Sequence, residues 1–278
     1  MKKTIRIISI LLLTVFSFYY TDKIIYLSKS KDPLMIKINE YNSKKGNDYT
    51  NAILTEHTML VGTHGKRIDV NKSYEKMKKV NGFNERLLEY EDIKPVINKS
   101  NNLDKLIIGK KTSNKVITFV FKIDNLDQLE QVVYILNKND SSATFFIDGK
   151  VIENNILELT NYFKNNIDFG YYTYNNKYDS LSLKYVKGLL ENNNFKKSNY
   201  CLYKNSTFLK TCINNRVNTI GPVKINSKLY NYIKYKKENG LIYQIDPNDY
   251  NIKELNSTII YLNQKGYTLL SLKELLKE

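Results

Sequence analysis

Residues 116–155 read VITFVFKIDNLDQLEQVVYILNKNDSSATFFIDGKVIENN, and this stretch decides the fold. Val116–Ile123 is a short run, apolar at nearly every position, the pattern of a parallel strand covered on both faces. Leu126–Asn137 follows, with Leu129, Val132, Val133 and Leu136 at three- and four-residue spacing, which predicts a helix with one buried face. SATFFIDG then repeats the strand pattern, and VIENNILELTNYFKNN the helical one. The alternation continues to residue 278. IDFGYYTY precedes SLSLKYVKGLLENN, NYCLY precedes STFLKTCINN, and RVNTIGP precedes NSKLYNYIKYKK. GLIYQID precedes NIKELNSTIIYLNQK, and YTLLSL precedes KELLKE. Seven such strand-then-helix units predict an α/β fold, either a barrel or a doubly wound sheet.

Upstream the pattern changes. Residues 51–110 read as a small α+β module, with Thr58–Val61 and Arg67–Val70 forming a hairpin across GTHGK. Asp69 or Asn71 is expected to cap a short helix running through Val80. The string LVGTHGKR is not a phosphate-binding loop. Gly62 and Gly65 have two residues between them where four are needed, and Arg67 follows Lys66 where Ser or Thr is needed. Residues 24–50 are polar with little periodicity and read as a linker. Residues 1–23 have the layout of an export signal: Lys2, Lys3 and Arg6, then an apolar run over residues 7–20, then Asp22 and Lys23. No small-x-small cleavage pattern follows the run, so an uncleaved signal anchor holding the chain to a membrane through residues 7–20 is expected, with secretion as the alternative. Either places the chain outside the cytoplasm.

The formal charge is +15, which invites a nucleic-acid partner. Lys, Asn, Ile and Tyr are over-used from end to end and Trp is absent, so the charge reads as a general bias with no Arg/Lys stripe above it. No nucleic-acid partner is expected. The two cysteines, Cys201 and Cys212, could close a short disulfide loop outside the cytosol or remain as buried thiols. The two histidines, His57 and His64, are seven residues apart, a spacing that gives no standard ligand pair, and both precede residue 116.

Several segments resemble the NodB-homology polysaccharide deacetylases. SSATFFIDGKVIENN resembles that family's second strand and turn, and NIDFGYYTYNN (166–176) its third strand. GLIYQID resembles its late strand, and LNQKGYTLLSLKELL its terminal strand and helix. The resemblance spans residues 116–278 and implies a distorted (β/α)7 barrel, in agreement with the seven units counted from periodicity. It also implies metal-assisted removal of acetyl groups from a sugar polymer, using an Asp and two His on the metal, a second Asp as general base and a late His as general acid.

Carried onto this chain, those positions are degenerate. The general base falls on Lys122 and the metal-binding Asp on Ile123. The two metal-binding His fall on Tyr172 and Asn176, an active-site Arg on Tyr200, and the late His on Ile245. Residues 116–278 contain no histidine, so two imidazoles and a carboxylate cannot be assembled there. No catalytic residue, metal or cofactor is therefore expected. The expected role is binding of cell-wall polysaccharide or a surface protein without turnover, with Asp124, Tyr172, Asn176, Tyr203 and Asp246 as candidate contacts. Two alternatives remain: a deacetylase with a site rebuilt on Asp124, Asp148 and Asp246, or an interaction scaffold acting through residues 51–110.

Overall fold

A computed structural model describes residues 2–162, 167–195 and 197–277 of the chain. It divides into two compact units: residues 1–49 with 64–93, and residues 50–63 with 94–278. The division differs from the expected linker and module. Residues 24–50 are not a linker, because α1 (Lys2–Ser30) and α2 (Pro33–Lys45) occupy most of them. The segment 51–110 is shared between the units.

The smaller unit is built on α2. Asp32 caps it by accepting the Leu34 N–H at 2.9 Å, and Met35 and Ile38 on its inner face are buried. The same Asp32 carboxylate accepts the Tyr74 hydroxyl and the Lys78 ammonium, both at 2.7 Å. Lys78 first, then Tyr74, hold the Asp32 pKa down at about 2. Residues 7–20 lie within α1, and among the described residues no helix is long and apolar enough to cross a membrane. The apolar run is shorter than the roughly 20 residues that a span requires.

In chain order the remaining elements begin with β1 (Ile53–Leu54), β2 (Thr58–Val61), β3 (Gly65–Ile68), α3 (Val70–Lys78), β4 (Tyr90–Ile93) and β5 (Leu106–Lys110). The expected hairpin of β2 with β3 does not form. β3 pairs antiparallel with β4 in the smaller unit, whereas β2 pairs parallel with β5 in the larger. Burial explains the choice: Met59, Val61 and Ile107 are fully buried in the larger unit's core, while Ile68 belongs to the smaller one. Gly62 is required where the chain passes Thr50, since a Cβ there would meet the Thr50 carbonyl at 1.9 Å. Asp69 caps α3 through the Lys72 N–H at 3.0 Å, and the helix ends at Lys78 rather than Val80.

The seven strand-then-helix units are all present. They are β6 (Val116–Ile123) with α4 (Leu126–Lys138), β7 (Ala143–Ile147) with α5 (Gly149–Asn154) and α6 (Ile156–Tyr162), and β8 (Ile167–Tyr171) with α7 (Ser180–Asn192). Then follow β9 (Lys197–Leu202) with α8 (Ser206–Asn214), and β10 (Asn218–Ile220) and β11 (Val223–Lys224) with α9 (Leu229–Lys236). The last two are β12 (Ile242–Ile245) with α10 (Asp249–Gln264), and β13 (Thr268–Leu269) with α11 (Leu272–Leu275). Asn166, the first residue of the NIDFGYYTYNN segment, lies outside the described residues.

One mixed sheet carries the larger unit, in the order β1-β2-β5-β10-β9-β8-β7-β6-β12-β11, with β13 also on β6. Every described ladder from β2 to β11 is parallel. Among the described residues the order runs linearly between β1 and β11. Phe121, Phe145 and Phe169 stand in register on β6, β7 and β8, with ring centroids 5.4 and 6.1 Å apart. Such pairs contribute about 0.5–1.5 kcal/mol each beyond the area they bury. With helices packed on these strands, functional side chains are left to the loops that follow the strands.

Candidate functional site

β6 delivers the first group. Its burial is almost continuous through Ile123, which is 1% exposed and packed in the core. Lys122 turns the other way, and its ammonium lies 2.9 Å from the Asp124 carboxylate. Burial acts to lower the Lys122 pKa, but the hydrogen bond and charge of Asp124 outweigh it, with smaller contributions from Tyr172 and Asp246, so the pKa rises. Lys122 is therefore a fixed cation, and its neighbours place Asp124, Tyr172 and Asp246 around it. Asn125, not Asp124, caps α4, accepting the Gln128 N–H at 2.9 Å.

β7 and β8 deliver the second group. Asp148 caps α5 through the Lys150 N–H at 2.9 Å. Its carboxylate also accepts the Thr173 hydroxyl at 2.6 Å and the backbone N–H groups of Asn175 at 2.8 Å and Asn176 at 2.9 Å. Burial alone would raise the Asp148 pKa; these hydrogen bonds more than offset it and hold it below the usual carboxylate range. Asn175 and Asn176 both have positive φ, 49° and 59°, a conformation Asn tolerates better than most residues. Asn176 thus contributes a backbone donor to a clamp, and its side chain is exposed.

Tyr172 is 8% exposed, with its ring edge-on to Phe208 at 6.3 Å. Lys204 lies over the rings of Tyr172 at 5.8 Å and Tyr178 at 5.2 Å. Burial comes first in raising the Tyr172 pKa, with Lys122 opposing. Tyr203 follows β9, donates its N–H to the Ile220 carbonyl at 2.9 Å and leaves its side chain exposed.

Ile245, the last residue of β12, is buried, and Asp246 after it is exposed. Asp246 accepts Gln244 Nε2 at 3.3 Å, and its carbonyl accepts Asn251 Nδ2 at 2.7 Å. It borders an open polar cleft of about 880 Å³, lined also by Gln128, Ser227, Lys228, Asp249 and Tyr250. These residues follow β6, β11 and β12, so the cleft lies at the C-terminal ends of the strands. No feature of the sequence pattern singles it out, because its donors come from three separate turns.

Tyr200 does not join this group. It pairs in register with Asn218, the first residue of β10, and its hydroxyl accepts from Lys99 at 2.8 Å. Cys201 and Cys212 are joined by a disulfide linking β9 to α8, with their Cα atoms 6.6 Å apart. His57 and His64 fall in different compact units.

These residues do not fit the metal that the family chemistry uses. Ile123, which the resemblance sets at a ligand position, offers only hydrocarbon, and Lys122 beside it is an ammonium; neither coordinates a cation. Among the described residues no three His, Cys, Asp or Glu side chains gather as a metal-binding group.

The parallel sheet with its following helices defines a protein with the fold of the polysaccharide deacetylases. Among solved structures, BA3943, a pseudoenzyme of carbohydrate esterase family 4 from Bacillus anthracis, superposes with a TM-score of 0.64 at 20% identity, over 89% of this chain and 96% of that one. A mutant of BA3943 is described as having restored enzymatic activity. The peptidoglycan deacetylase PdaC from Bacillus subtilis matches with a TM-score of 0.50 at 14% identity, over 59% of this chain and 90% of PdaC. In sequence, the uncharacterized protein YlxY of Bacillus subtilis is 24% identical, over 91% of this chain and 86% of YlxY. No family model matches the chain.

Proposed function

We propose that this chain is a catalytically degenerate, deacetylase-like protein that binds cell-wall glycan outside the cytosol without hydrolysing it. One observation carries the proposal: Lys122, at the position that the resemblance gives to the general base, is held as a cation in an ion pair with Asp124. An ammonium there repels a divalent cation and accepts no proton from water. The likeness in fold to BA3943 supports the same conclusion. A closed seven-unit barrel, as in the deacetylases, is the form this parallel sheet would take.

The polar cleft beside Asp246 supports glycan as the ligand. Its Asp, Asn and Ser groups suit sugar hydroxyls, and the exposed Tyr250 offers a ring face for a pyranose. The disulfide supports an oxidising location. A site rebuilt on Asp124, Asp148 and Asp246 is disfavoured, since Lys122 engages the first and four donors engage the second. A scaffold role for residues 51–110 as one module is also disfavoured, since that segment is divided between units.

The test is calorimetric titration of the full chain with N-acetylglucosamine oligomers, alongside an acetate-release assay with and without added zinc. Binding that weakens at least about tenfold in both Asp246→Asn and Tyr250→Ala, with no acetate released, is the expected result. Acetate release from wild type that is lost on chelation, or oligomer binding unchanged in both variants, would overturn it.

A further inference from the structure

A second cleft, of about 590 Å³, lies at the opposite end of the strands from Lys122 and Asp246. It is formed by the start of β9, the turn before β10 and the segment around α11, and five cations line it: Lys99, Lys197, Arg216, Lys273 and Lys277. No Asp or Glu is among its described lining residues. Glu191 pairs with Lys197 from outside the cleft. The remaining lining includes neutral hydrogen-bonding groups from Asn199, Tyr200 and Asn218.

Arg216 is informative through its backbone. Six non-glycine residues in the described structure have positive φ, and five of them are Asn or Asp; the sixth is Arg216, at 55°. Asn and Asp tolerate this conformation, whereas a long side chain gains nothing from it. In a chain so rich in Asn, an Arg at this turn is accounted for by its guanidinium at the cleft. A guanidinium fork matches two oxygens of a phosphate, and nearby ammonium groups add charge without further geometry.

We propose that this cleft is an anion-binding site for a phosphodiester-linked polyol or sugar polymer, separate from the glycan cleft at the other end of the sheet. The cleft is concave, so a flexible chain can enter it and a planar bilayer cannot. Single-stranded nucleic acid is disfavoured because base stacking needs exposed rings, and the two aromatic residues here, Phe195 and Tyr200, are 5% and 6% exposed. Sugar or glycerol hydroxyls, by contrast, are suited by the side-chain amides of Asn199 and Asn218 between the cations.

The experiment titrates the full chain in detergent with a synthetic poly(glycerol phosphate) oligomer, and in parallel with oligothymidylate of equal charge. Two variants are compared. Arg216→Asn with Lys273→Gln removes two cleft charges, and Asn suits the positive φ, so the fold is retained. Lys138→Gln with Lys253→Gln removes two exposed charges elsewhere in the same unit. The expected result is binding of the glycerol phosphate oligomer that falls at least about tenfold in the cleft variant, less than about threefold in the control, and weakens as salt rises. Equal losses in the two variants, tighter binding of oligothymidylate, or no binding at millimolar oligomer would each overturn the proposal.

Discussion

The Lys122 ammonium lies 2.9 Å from the Asp124 carboxylate, two residues further along the same strand end. The two form a charge-compensated pair at the C-terminal end of β6, where the resemblance sets the general base. The Lys122 charge is therefore compensated within its own strand end.

Restoring the ligand types should restore cation binding. A variant with Lys122→Asp, Ile123→Asp, Tyr172→His and Asn176→His is expected to be less stable than wild type, since Ile123 and Tyr172 are buried. Zinc at 100 times its Kd should return about 2.7 kcal/mol. Thermal unfolding with and without zinc checks this. A melting temperature that zinc leaves unmoved in the variant would show that these positions do not converge.

Asp148→Ala should destabilise by about 2–4 kcal/mol, because one carboxylate satisfies a helix cap and a two-residue left-handed turn. Asp148→Asn should cost less. The folded pKa lies below the ordinary aspartate value of 3.8, so the contribution is complete above about pH 4 and is lost as pH falls through the folded value. Urea unfolding between pH 2 and 6 should show the wild-type advantage over Asp148→Asn shrinking as pH drops.

Reduction of the Cys201–Cys212 bond, or the double change to Ala, should cost about 3 kcal/mol by loop-closure entropy alone. Differential scanning calorimetry with and without reductant checks this. Both sulfurs are fully buried, so alkylation should require reductant and partial unfolding together.

Gly170→Ala should cost about 1–3 kcal/mol. A Cβ there would meet the Phe146 ring at 2.0 Å, and that ring is fully buried. Gly188→Ala is the control, since nothing lies within 4 Å of its Cβ position and it sits inside α7, where Ala is the better helix former. Chemical denaturation should separate the two in opposite directions.

Much of the larger unit is legible in the residue pattern. Leu129, Val132, Val133 and Leu136 declare a helix face through spacing alone, and all four are buried. Asp148 reads as a cap from its place after ATFFI. Its grip on Asn175 and Asn176 does not, because it joins residues 27 and 28 positions apart. The unit boundary is hidden for a related reason. Thr58–Val61 and Gly65–Ile68 look like one hairpin locally, and only the competing partners β5 and β4, distant in sequence, pull them apart.

Two things follow from the amino-acid order by itself: the repeated strand-then-helix pattern, set by hydrophobic periodicity over a dozen residues, and the lack of imidazole after residue 115. Tertiary structure alone decided which strand end each polar residue occupies. It moved Tyr200 away from Lys122 and gathered Lys99, Lys197, Arg216 and Lys273 into one cleft. The physical reason is range. Side-chain period is fixed by neighbours a few residues away, whereas a site is fixed by sheet pairing, which brings Lys99 within 2.8 Å of a tyrosine 101 residues later.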